Sequence, residues 1–282
     1  MDEILMNWNL SGLSVTPLSD AHKTTWDVGG LYVLKHNDDT DELLRNIDLS
    51  KLLAEEGVSV AKCIPTKDGT LTTADGQYCL MDKLRGSYID LYEHPHLAHG
   101  LGRELADLHA ALLRVEQKVS CNDNDLFTEW HSIYKRDVAE LVSDGLYDRI
   151  YTFLSNEYKA LSRQLIHRDM HIRNFLYDND KLSGWFDFDC HLRDVRIFDL
   201  ASLLYYQEHD IAKGDAYIQI VHSILDGYNE INPFVDGERK WVPFMVVMME
   251  LVFLSLFPQE ENPEAFSNEV GWAKWFCNEL KL

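Results

Sequence analysis

The segment that decides the fold reads LIHRDMHIRNFLY at residues 165–177 and is followed by GWFDFD at residues 184–189. Asn174 lies five residues after Asp169, and Asp187 follows Asn174 by thirteen. Apolar residues flank each of these polar residues, so burying the carboxylates would be costly unless they bind a cation or a substrate. Oxygen ligands from Asn174 and Asp187 would suit Mg²⁺. Asp169, slightly upstream, is placed to orient a hydroxyl group and accept its proton.

This pattern, His-x-Asp-x-x-x-x-Asn followed by Asp-Phe-Asp, resembles the catalytic loop and metal-binding strand of the aminoglycoside phosphotransferase/choline kinase-like family. Proteins of that family share the protein-kinase-like fold and phosphorylate hydroxyl groups of small molecules. The resemblance implies that Asp169 is the catalytic base and that Asn174 and Asp187 are the Mg²⁺ ligands. It implies ATP as the nucleotide, with GTP as an alternative.

Further motifs extend the resemblance along nearly the whole chain. YVLK at residues 32–35 resembles the strand whose lysine, here Lys35, holds the α- and β-phosphates, and LMDKLRG at residues 80–86 resembles the hinge that contacts adenine. The resemblance also includes three shorter matches: GVSVA at residues 57–61, LADLH at residues 105–109 and DLA at residues 199–201. The implied nucleotide-binding residues are therefore Lys35, the covering-loop residues Ser19, Lys23 and Thr24, and the hinge residues Met81, Lys83 and Leu84.

The order of predicted elements favours an α+β, bilobal, protein-kinase-like fold. Alternating or apolar runs predict strands at residues 13–18, 26–28, 31–34, 58–64 and 77–81, with one helix at 42–56. Gly29-Gly30 predicts a hairpin turn. Beyond Gly86, amphipathic helices are predicted at residues 97–113, 126–141 and 146–162, and over most of the chain after Phe198. We therefore expect a nucleotide-binding lobe at residues 1–84 and a helical catalytic and acceptor-binding lobe at 85–282.

Three features depart from the family pattern. The helix position that usually carries a glutamate paired with the strand lysine falls near Asn46. Either Glu42 substitutes, or the helix shifts its register, or Lys35 pairs elsewhere. The covering loop at residues 19–24 has no glycine, which makes close approach of its backbone to phosphate harder. Finally, Arg168 stands where the family often has glycine.

Several polar residues near these motifs are predicted to be structural. We expect His167 to be a buried histidine that holds the catalytic loop, His109 to be a packed helix residue, and Asp199 to support the loop through hydrogen bonds. The role of Asp189 stays open: its carboxylate either supports the metal ligands without touching the metal or contacts the metal itself.

Composition excludes some functions. The 26 Lys and Arg against 47 Asp and Glu give a net charge of −21, which disfavours binding to nucleic acid or to an anionic membrane. The N-terminus has no secretory pattern, and the apolar stretch at residues 241–257 contains Pro243 and Glu250, which favours a buried helix. Five scattered cysteines suggest neither disulfides nor a zinc site. A cytoplasmic location is predicted; the oligomeric state is not.

The motifs also bear on four other functions: a protein kinase, a P-loop nucleotide-binding protein, a scaffold and a phosphohydrolase. Asp199 follows Asp187 by only twelve positions, which leaves no room for the peptide-binding segment of a protein kinase. The Ala-Pro-Glu motif that ends such a segment is also missing from the sequence. A P-loop motif is also missing from the sequence. Two alternatives stay open: a degenerate kinase fold that acts as a scaffold, and a metal-dependent phosphohydrolase using residues 167, 169, 171 and 187.

The resemblance implies a small-molecule hydroxyl acceptor that is aminoglycoside-, choline- or homoserine-like, without identifying which. The region after residue 200 is rich in aromatic and acidic residues, which suits a cationic acceptor but equally suits core aromatics and a solvated acidic face. These residues are Tyr205, Tyr206, Glu208, Asp210, Trp241, Glu250, Trp272 and Trp275.

Overall fold

The computed structural model of the chain describes residues 1–18, 24–121, 123, 125–207, 209–235, 237–256 and 262–279. Two compact units are formed from discontinuous stretches of the chain. The first unit comprises Met1–Ile89, Arg114–Ser120 and Arg173–His191; the second comprises Asp90–Leu113, Cys121–Ile172 and Leu192–Leu282. Residues 173–191 thus belong to the first unit, although the motif order predicted them in the second lobe. The two-lobe division at residues 84 and 85 stays a prediction.

A five-stranded antiparallel sheet organises the first unit, with the strand order β1-β2-β3-β5-β4. Its strands are β1 (Val15–Pro17), β2 (Thr25–Val28), β3 (Tyr32–His36), β4 (Cys63–Ile64) and β5 (Tyr78–Asp82). Gly29 and Gly30 join β2 to β3 with φ angles of 63° and 71°. A two-glycine turn adopts this left-handed conformation without steric cost, so the predicted hairpin is confirmed.

The two faces of the sheet are covered by different parts of the chain. Leu34 and Leu80 are register partners, and they pack with Leu5 from the short helix α1 (Asp2–Leu5), which the sequence pattern did not predict. On the opposite face, Met81 packs against Leu43 and other residues of helix α2 (Thr40–Glu55). Lys35 alternates with Leu34 along β3 and therefore lies on the α2 face.

Helix α2 has a clear start and end. The Asp39 side chain accepts a hydrogen bond from Glu42 N at 2.9 Å, which caps the first turn. The chain leaves the helix at Gly57, where φ is 88°. The helix predicted at residues 42–56 is confirmed with slightly different ends.

A second hairpin completes the first unit. Strands β7 (Phe175–Asp178) and β8 (Lys181–Trp185) pair with each other, and Trp185 N donates to Ser59 O at 2.9 Å. Gly86 makes a close approach to this hairpin: its φ is 100°, and an added Cβ would lie 2.1 Å from Tyr177 O. A side chain at residue 86 would therefore displace the hairpin that carries the metal-binding motif.

The second unit is mainly helical. Its helices are α3 (Ala98–Val115), α4 (Leu126–Ile133), α5 (Arg136–Val142), α6 (Leu146–Thr152), α7 (Ile197–Tyr205), α8 (Gly214–Ile231), α9 (Glu238–Leu256) and α10 (Pro263–Glu279). A two-stranded antiparallel sheet, β6 (Arg163–Ile166) with β9 (Leu192–Val195), flanks the catalytic-loop motif. This order of small strands and helices matches the predicted α+β class.

Two predicted helices are interrupted. The segment predicted as one helix at residues 126–141 is two, because Tyr134 and Lys135 adopt extended backbone conformations with ψ angles of 133° and 131°. The helix predicted at residues 146–162 is α-helical only to Thr152 and continues as a π-helical turn and a 3₁₀ turn to residue 160. In α9, apolar side chains such as Val242, Met245 and Val246 are buried, as predicted for its apolar stretch. Within the described ranges, none of the helices has the length and apolar character needed to cross a bilayer.

Candidate functional site

The first unit contains a buried ion-pair cluster around Lys35. Lys35 lies on the central strand β3 and is 8% exposed. Its Nζ atom lies 2.5 Å from Asp187 Oδ1 and 2.5 Å from Asp189 Oδ2. Burial acts to lower the pKa of the Lys35 ammonium, but the two carboxylates outweigh it and raise the pKa above its usual value. Lys35 is therefore a fixed positive charge.

Asp187 is presented by an unusual backbone conformation. It follows β8, and its φ of 66° places a non-glycine residue in the left-handed region. Such a conformation costs about 1 kcal/mol or more and persists where neighbouring contacts hold it. A 3₁₀ turn at Phe188–Cys190 begins directly afterwards and brings Asp189 to the same lysine. The side chain of Asp187 is 44% exposed and that of Asp189 is 17% exposed.

The partner of Lys35, left open by the sequence, is this pair of aspartates. Asn46 of α2, at the position where a glutamate was expected, donates its side-chain amide to Asp189 Oδ1. Glu42 does not substitute, because its carboxylate accepts a hydrogen bond from Asn37 Nδ2 at 3.2 Å. Burial raises the pKa of Asp189, with the charge of Asp187 adding to it, while Lys35 and Asn46 act in the opposite direction. Asp189 is thus the carboxylate that links α2 to the strand lysine.

A cavity of about 270 Å³ opens beside this cluster, and every residue that lines it belongs to the first unit. Its walls include Asn174 and five more of the sequence-predicted nucleotide and metal residues: Lys35, Met81, Lys83, Leu84 and Asp187. Val33, Ala61, Leu176 and Phe186 supply further apolar surface. A mostly apolar cavity with charged groups at one side is the usual form of a small-ligand site.

The hinge residues differ in what they can offer a ligand. The Lys83 ammonium pairs with Asp27, and its backbone N–H donates to Leu31 O at 3.0 Å. The ammonium and the backbone N–H of Lys83 are therefore both paired with groups of the protein.

The covering loop is only partly described. Ser19 and Lys23 lie outside the described residues. Thr24 is exposed, and its carbonyl accepts a hydrogen bond from His36 N at 2.7 Å; its neighbour Thr25 lines the cavity. Among the lining residues that were not predicted from the sequence are Thr25, Tyr88 and Arg173, which have polar side chains. Arg173 directly precedes Asn174 in the deciding segment, and this adjacency was a signal that could have found it.

In the second unit, Asp199 fixes the loop that carries Asp169. Asp199 is fully buried, and it accepts hydrogen bonds from the backbone N–H groups of His167 and Arg168, each at 2.8 Å. His109 Nε2 donates to the same carboxylate at 3.0 Å. His109 and His167 are both fully buried. The supporting positions expected for Asp199, His109 and His167 are those that the structure shows.

The backbone conformation of Arg168 explains why the family often has glycine at this position. Its φ is 73°, in the left-handed region that favours glycine. The arginine is accommodated because its guanidinium pairs with Glu129 at 2.8 Å and Asp194 at 3.3 Å and lies 3.7 Å from the centre of the Phe198 ring. These contacts offset the backbone cost of the left-handed conformation at Arg168.

Asp169 lines a second cavity, of about 290 Å³, that is formed entirely by the second unit. The Oδ2 atom of Asp169 lies 3.4 Å from His171 Nε2. Acidic and aromatic side chains surround the cavity, including Glu129, Tyr134, Tyr205 and Tyr206. From the acidic and aromatic field noted in the sequence, Tyr205 and Tyr206 line this cavity, whereas Glu250 and Trp272 are buried. Glu208 lies outside the described residues.

The antiparallel sheet with its strand lysine and the helical unit with its aspartate loop define a protein-kinase-like fold. Solved structures of that fold superpose closely. An amicoumacin kinase solved with AMP-PNP and Ca²⁺ matches with a TM-score of 0.72 at 17% identity, covering 98% of this chain and 92% of that one. A microcompartment-associated aminopropanol kinase also gives 0.72 at 17% identity, covering 99% and 95%.

The chain belongs to the phosphotransferase enzyme family, whose model matches residues 14–234. Its relatives include homoserine kinases from Afipia carboxidovorans, 27% identical over 222 residues, and from Janthinobacterium sp. (strain Marseille), 28% identical over 226. Each alignment covers 74% of this chain. It spans 65% and 68% of the respective relatives.

Proposed function

We propose that this chain is a kinase that transfers the terminal phosphoryl group of a nucleoside triphosphate to a hydroxyl group of a small molecule. The observation that carries the proposal is the Lys35–Asp187–Asp189 cluster, in which Lys35 and Asp187 line a cavity that Asn174 also lines. Membership of the phosphotransferase enzyme family supports the same reaction. The amicoumacin kinase of the same fold was solved with an ATP analogue and a divalent cation.

The residues of the first cavity suit a magnesium-bound nucleotide. Lys35 with Asp187 and Asp189 carries formal charges of +1, −1 and −1, a net charge of −1 that would repel phosphate. An amide oxygen from Asn174 and a carboxylate from Asp187 are ligands that Mg²⁺ accepts. The bound Mg²⁺ would supply neutralisation of phosphate charge. The chain's large negative charge makes this metal dependence a firm expectation.

In this proposal, each residue of the first cavity has a separate task. Lys35 donates from its ammonium to the α- and β-phosphates, while Met81, Leu84 and the backbone of the hinge hold the base. Asn174 and Asp187 hold the cation. Ser19, Lys23 and Thr24 of the covering loop are proposed to donate to phosphate. Catalysis would then rest on positioning and electrostatic stabilisation.

Asp169 is proposed to act on the acceptor. Its carboxylate lines the cavity of the second unit, where it can align the acceptor hydroxyl and take its proton. The rings of Tyr134 and Tyr205 line the same cavity and suit a cationic amine. The named relatives, a homoserine kinase and an aminopropanol kinase, point to a small amino alcohol. A cytoplasmic location fits such an acceptor.

Two substitutions test these roles. Asp169→Asn should preserve Mg-nucleotide binding and remove turnover, whereas Asp187→Ala should abolish metal-dependent nucleotide binding and turnover together. The acceptor would be identified by following ATP consumption with homoserine, aminopropanol, ethanolamine, choline, aminoglycosides and sugars. Wild-type turnover by the Asp169→Asn variant on any of these acceptors would contradict the role of Asp169.

The scaffold alternative is distinguished by nucleotide binding alone. The replacement of the expected helix glutamate by Asn46 favours it, but the paired aspartates on Lys35 make up for the missing charge. A thermal shift on addition of millimolar Mg-ATP supports the kinase; no shift would favour the scaffold. The phosphohydrolase alternative gains no support, since residues 167, 169, 171 and 187 form no three-ligand cluster among the described residues.

A further inference from the structure

Three potential metal ligands converge in the second unit, away from any sequence motif. His209 follows α7, Glu250 lies on α9, and Glu269 lies on α10. His209 Nδ1 is 2.8 Å from Glu269 Oε2 and 3.5 Å from Glu250 Oε2. One ligand atom from each of the three residues lies within 4.8 Å of the others. None of the three lines either cavity.

The histidine ring is held so that one nitrogen faces the carboxylates. His209 Nε2 lies 2.8 Å from the carbonyl oxygen of Tyr205, and since a carbonyl only accepts, Nε2 carries the hydrogen. The ring stacks on Trp272 with centroids 3.8 Å apart and planes 10° apart. The other ring nitrogen, Nδ1, therefore faces Glu250 and Glu269, and in a neutral ring it would carry the lone pair that a metal takes. Metal-binding histidines are commonly fixed in this way, through a hydrogen bond from the other ring nitrogen.

The Glu250 carboxyl group is the part of this cluster that most suits a cation. Glu250 is fully buried, and within the described ranges neither of its carboxylate oxygens has a hydrogen-bond partner. A proton on Nδ1 of His209 would pair with one carboxyl group and leave the other without a partner, which is costly for a buried polar group. A divalent cation offsets both.

We propose that His209, Glu250 and Glu269 form a site for a divalent transition metal, of which Zn²⁺ is the best fit. One imidazole nitrogen with two carboxylate oxygens is a ligand set that Zn²⁺ accepts, whereas Mg²⁺ and Ca²⁺ prefer oxygen ligands throughout. Three protein ligands leave a position for water. The site is separate from the proposed magnesium ligands, which belong to the first unit.

The position of the site suggests what the metal does. It would join α9, α10 and the segment after α7. Tyr205, whose carbonyl orients His209, also lines the cavity that contains Asp169. Bound Zn²⁺ would therefore stabilise one wall of that cavity without touching the reacting groups.

Zinc binding to the full chain tests the proposal without any measurement of activity. The chelator-stripped protein is titrated with Zn²⁺ in competition with a chromophoric chelator, in excess Mg²⁺. We expect one tight equivalent for the wild type and a loss of affinity of about 100-fold or more for Glu250→Gln and Glu269→Gln. Glu264→Gln, at an exposed position of α10, is the matched control and should bind like the wild type.

Two further measurements separate the outcomes. The Asp187→Asn variant should still bind one equivalent of Zn²⁺ tightly. If this variant loses zinc binding and Glu250→Gln does not, the ion binds in the first unit and the proposal is wrong. The proposal also fails if the wild type binds Zn²⁺ no more tightly than Glu250→Gln. Circular dichroism in chelator checks that both glutamine variants fold.

Discussion

Asn46 donates its side-chain amide to Asp189, the carboxylate that also receives the Lys35 ammonium. Helix α2 is therefore connected to the strand lysine through a neutral donor and an aspartate, not through a direct ion pair. The ammonium group of this pair lies on β3, and its carboxylate lies in the segment after β8. The orientation of α2 consequently depends on a hydrogen bond that other side chains cannot easily replace.

Replacing Asn46 by alanine should destabilise the protein. Asn46 is 1% exposed, and without its amide the partly buried Asp189 loses a donor, at a cost of about 1–3 kcal/mol. Urea unfolding monitored by fluorescence measures the change. Asp48→Ala, at an exposed position of the same helix, is the control and should change stability little. Equal stability of the two variants would show that the Asn46 hydrogen bond does not support the cluster.

Lys35→Met should weaken nucleotide binding by about 10–100-fold, because it removes a charged donor to phosphate and leaves Asp187 and Asp189 to repel it. Calorimetric titration with Mg-ATP provides the measurement. Lys83→Ala is the matched comparison: its ammonium pairs with Asp27, so affinity should change less than about 3-fold. A similar loss for both variants would contradict the assignment of Lys35 as the phosphate anchor.

Asp199→Asn should lower turnover more than it changes nucleotide affinity. The substitution removes the charge that accepts from two backbone N–H groups and from His109, and breaking such a buried network costs about 3 kcal/mol. Asp199 acts through the loop and so positions Asp169. The kcat should fall while the KM for nucleotide stays near the wild-type value. Asp215→Asn, exposed on α8, controls for loss of charge. A rise in KM alone would rule out a positioning role.

Glu250 should make the stability of the metal-free protein depend on pH. Burial raises the pKa of its carboxyl from 4.5 to about 9, so between these values the folded chain binds a proton that the unfolded chain releases. Stability should therefore fall as pH rises through this window. Tm measured in chelator from pH 5 to pH 9 should show a smaller decline for Glu250→Gln. Parallel curves for the two proteins would place the pH dependence elsewhere.

Local patterns in the sequence predict most of the sheet and its turns, but the strand predicted at residues 58–64 is wrong over most of its length, because β4 comprises Cys63–Ile64. The Gly29-Gly30 hairpin and helix α2 depend on residues close together in the chain, and both are confirmed. The break at Tyr134 and Lys135 carries no proline or glycine and so has no local signal. It is set by packing of α4 and α5 against α9, which the sequence pattern does not show.

The candidate site likewise has a part that the sequence predicts and a part that depends on the completed fold. The spacing of Asp169, Asn174 and Asp187 within one short segment is enough to predict residues that line the two cavities. The hydrogen bond from Asn46 to Asp189 joins residues 143 positions apart, and the sequence alone left this partner open. The cluster at His209 combines residues from separate elements and follows no motif. Long-range pairings of this kind depend on the completed fold.

The discontinuous composition of the first unit has a consequence for synthesis. Asn174, Phe186 and Asp187 form one wall of its cavity but are translated long after the sheet that forms the other wall. A ribosome must add the residues of α3 to α6 before it reaches them. The nascent chain therefore cannot acquire a complete nucleotide cavity until His191 has left the exit tunnel, and a peptide ending at Leu84 would lack this wall.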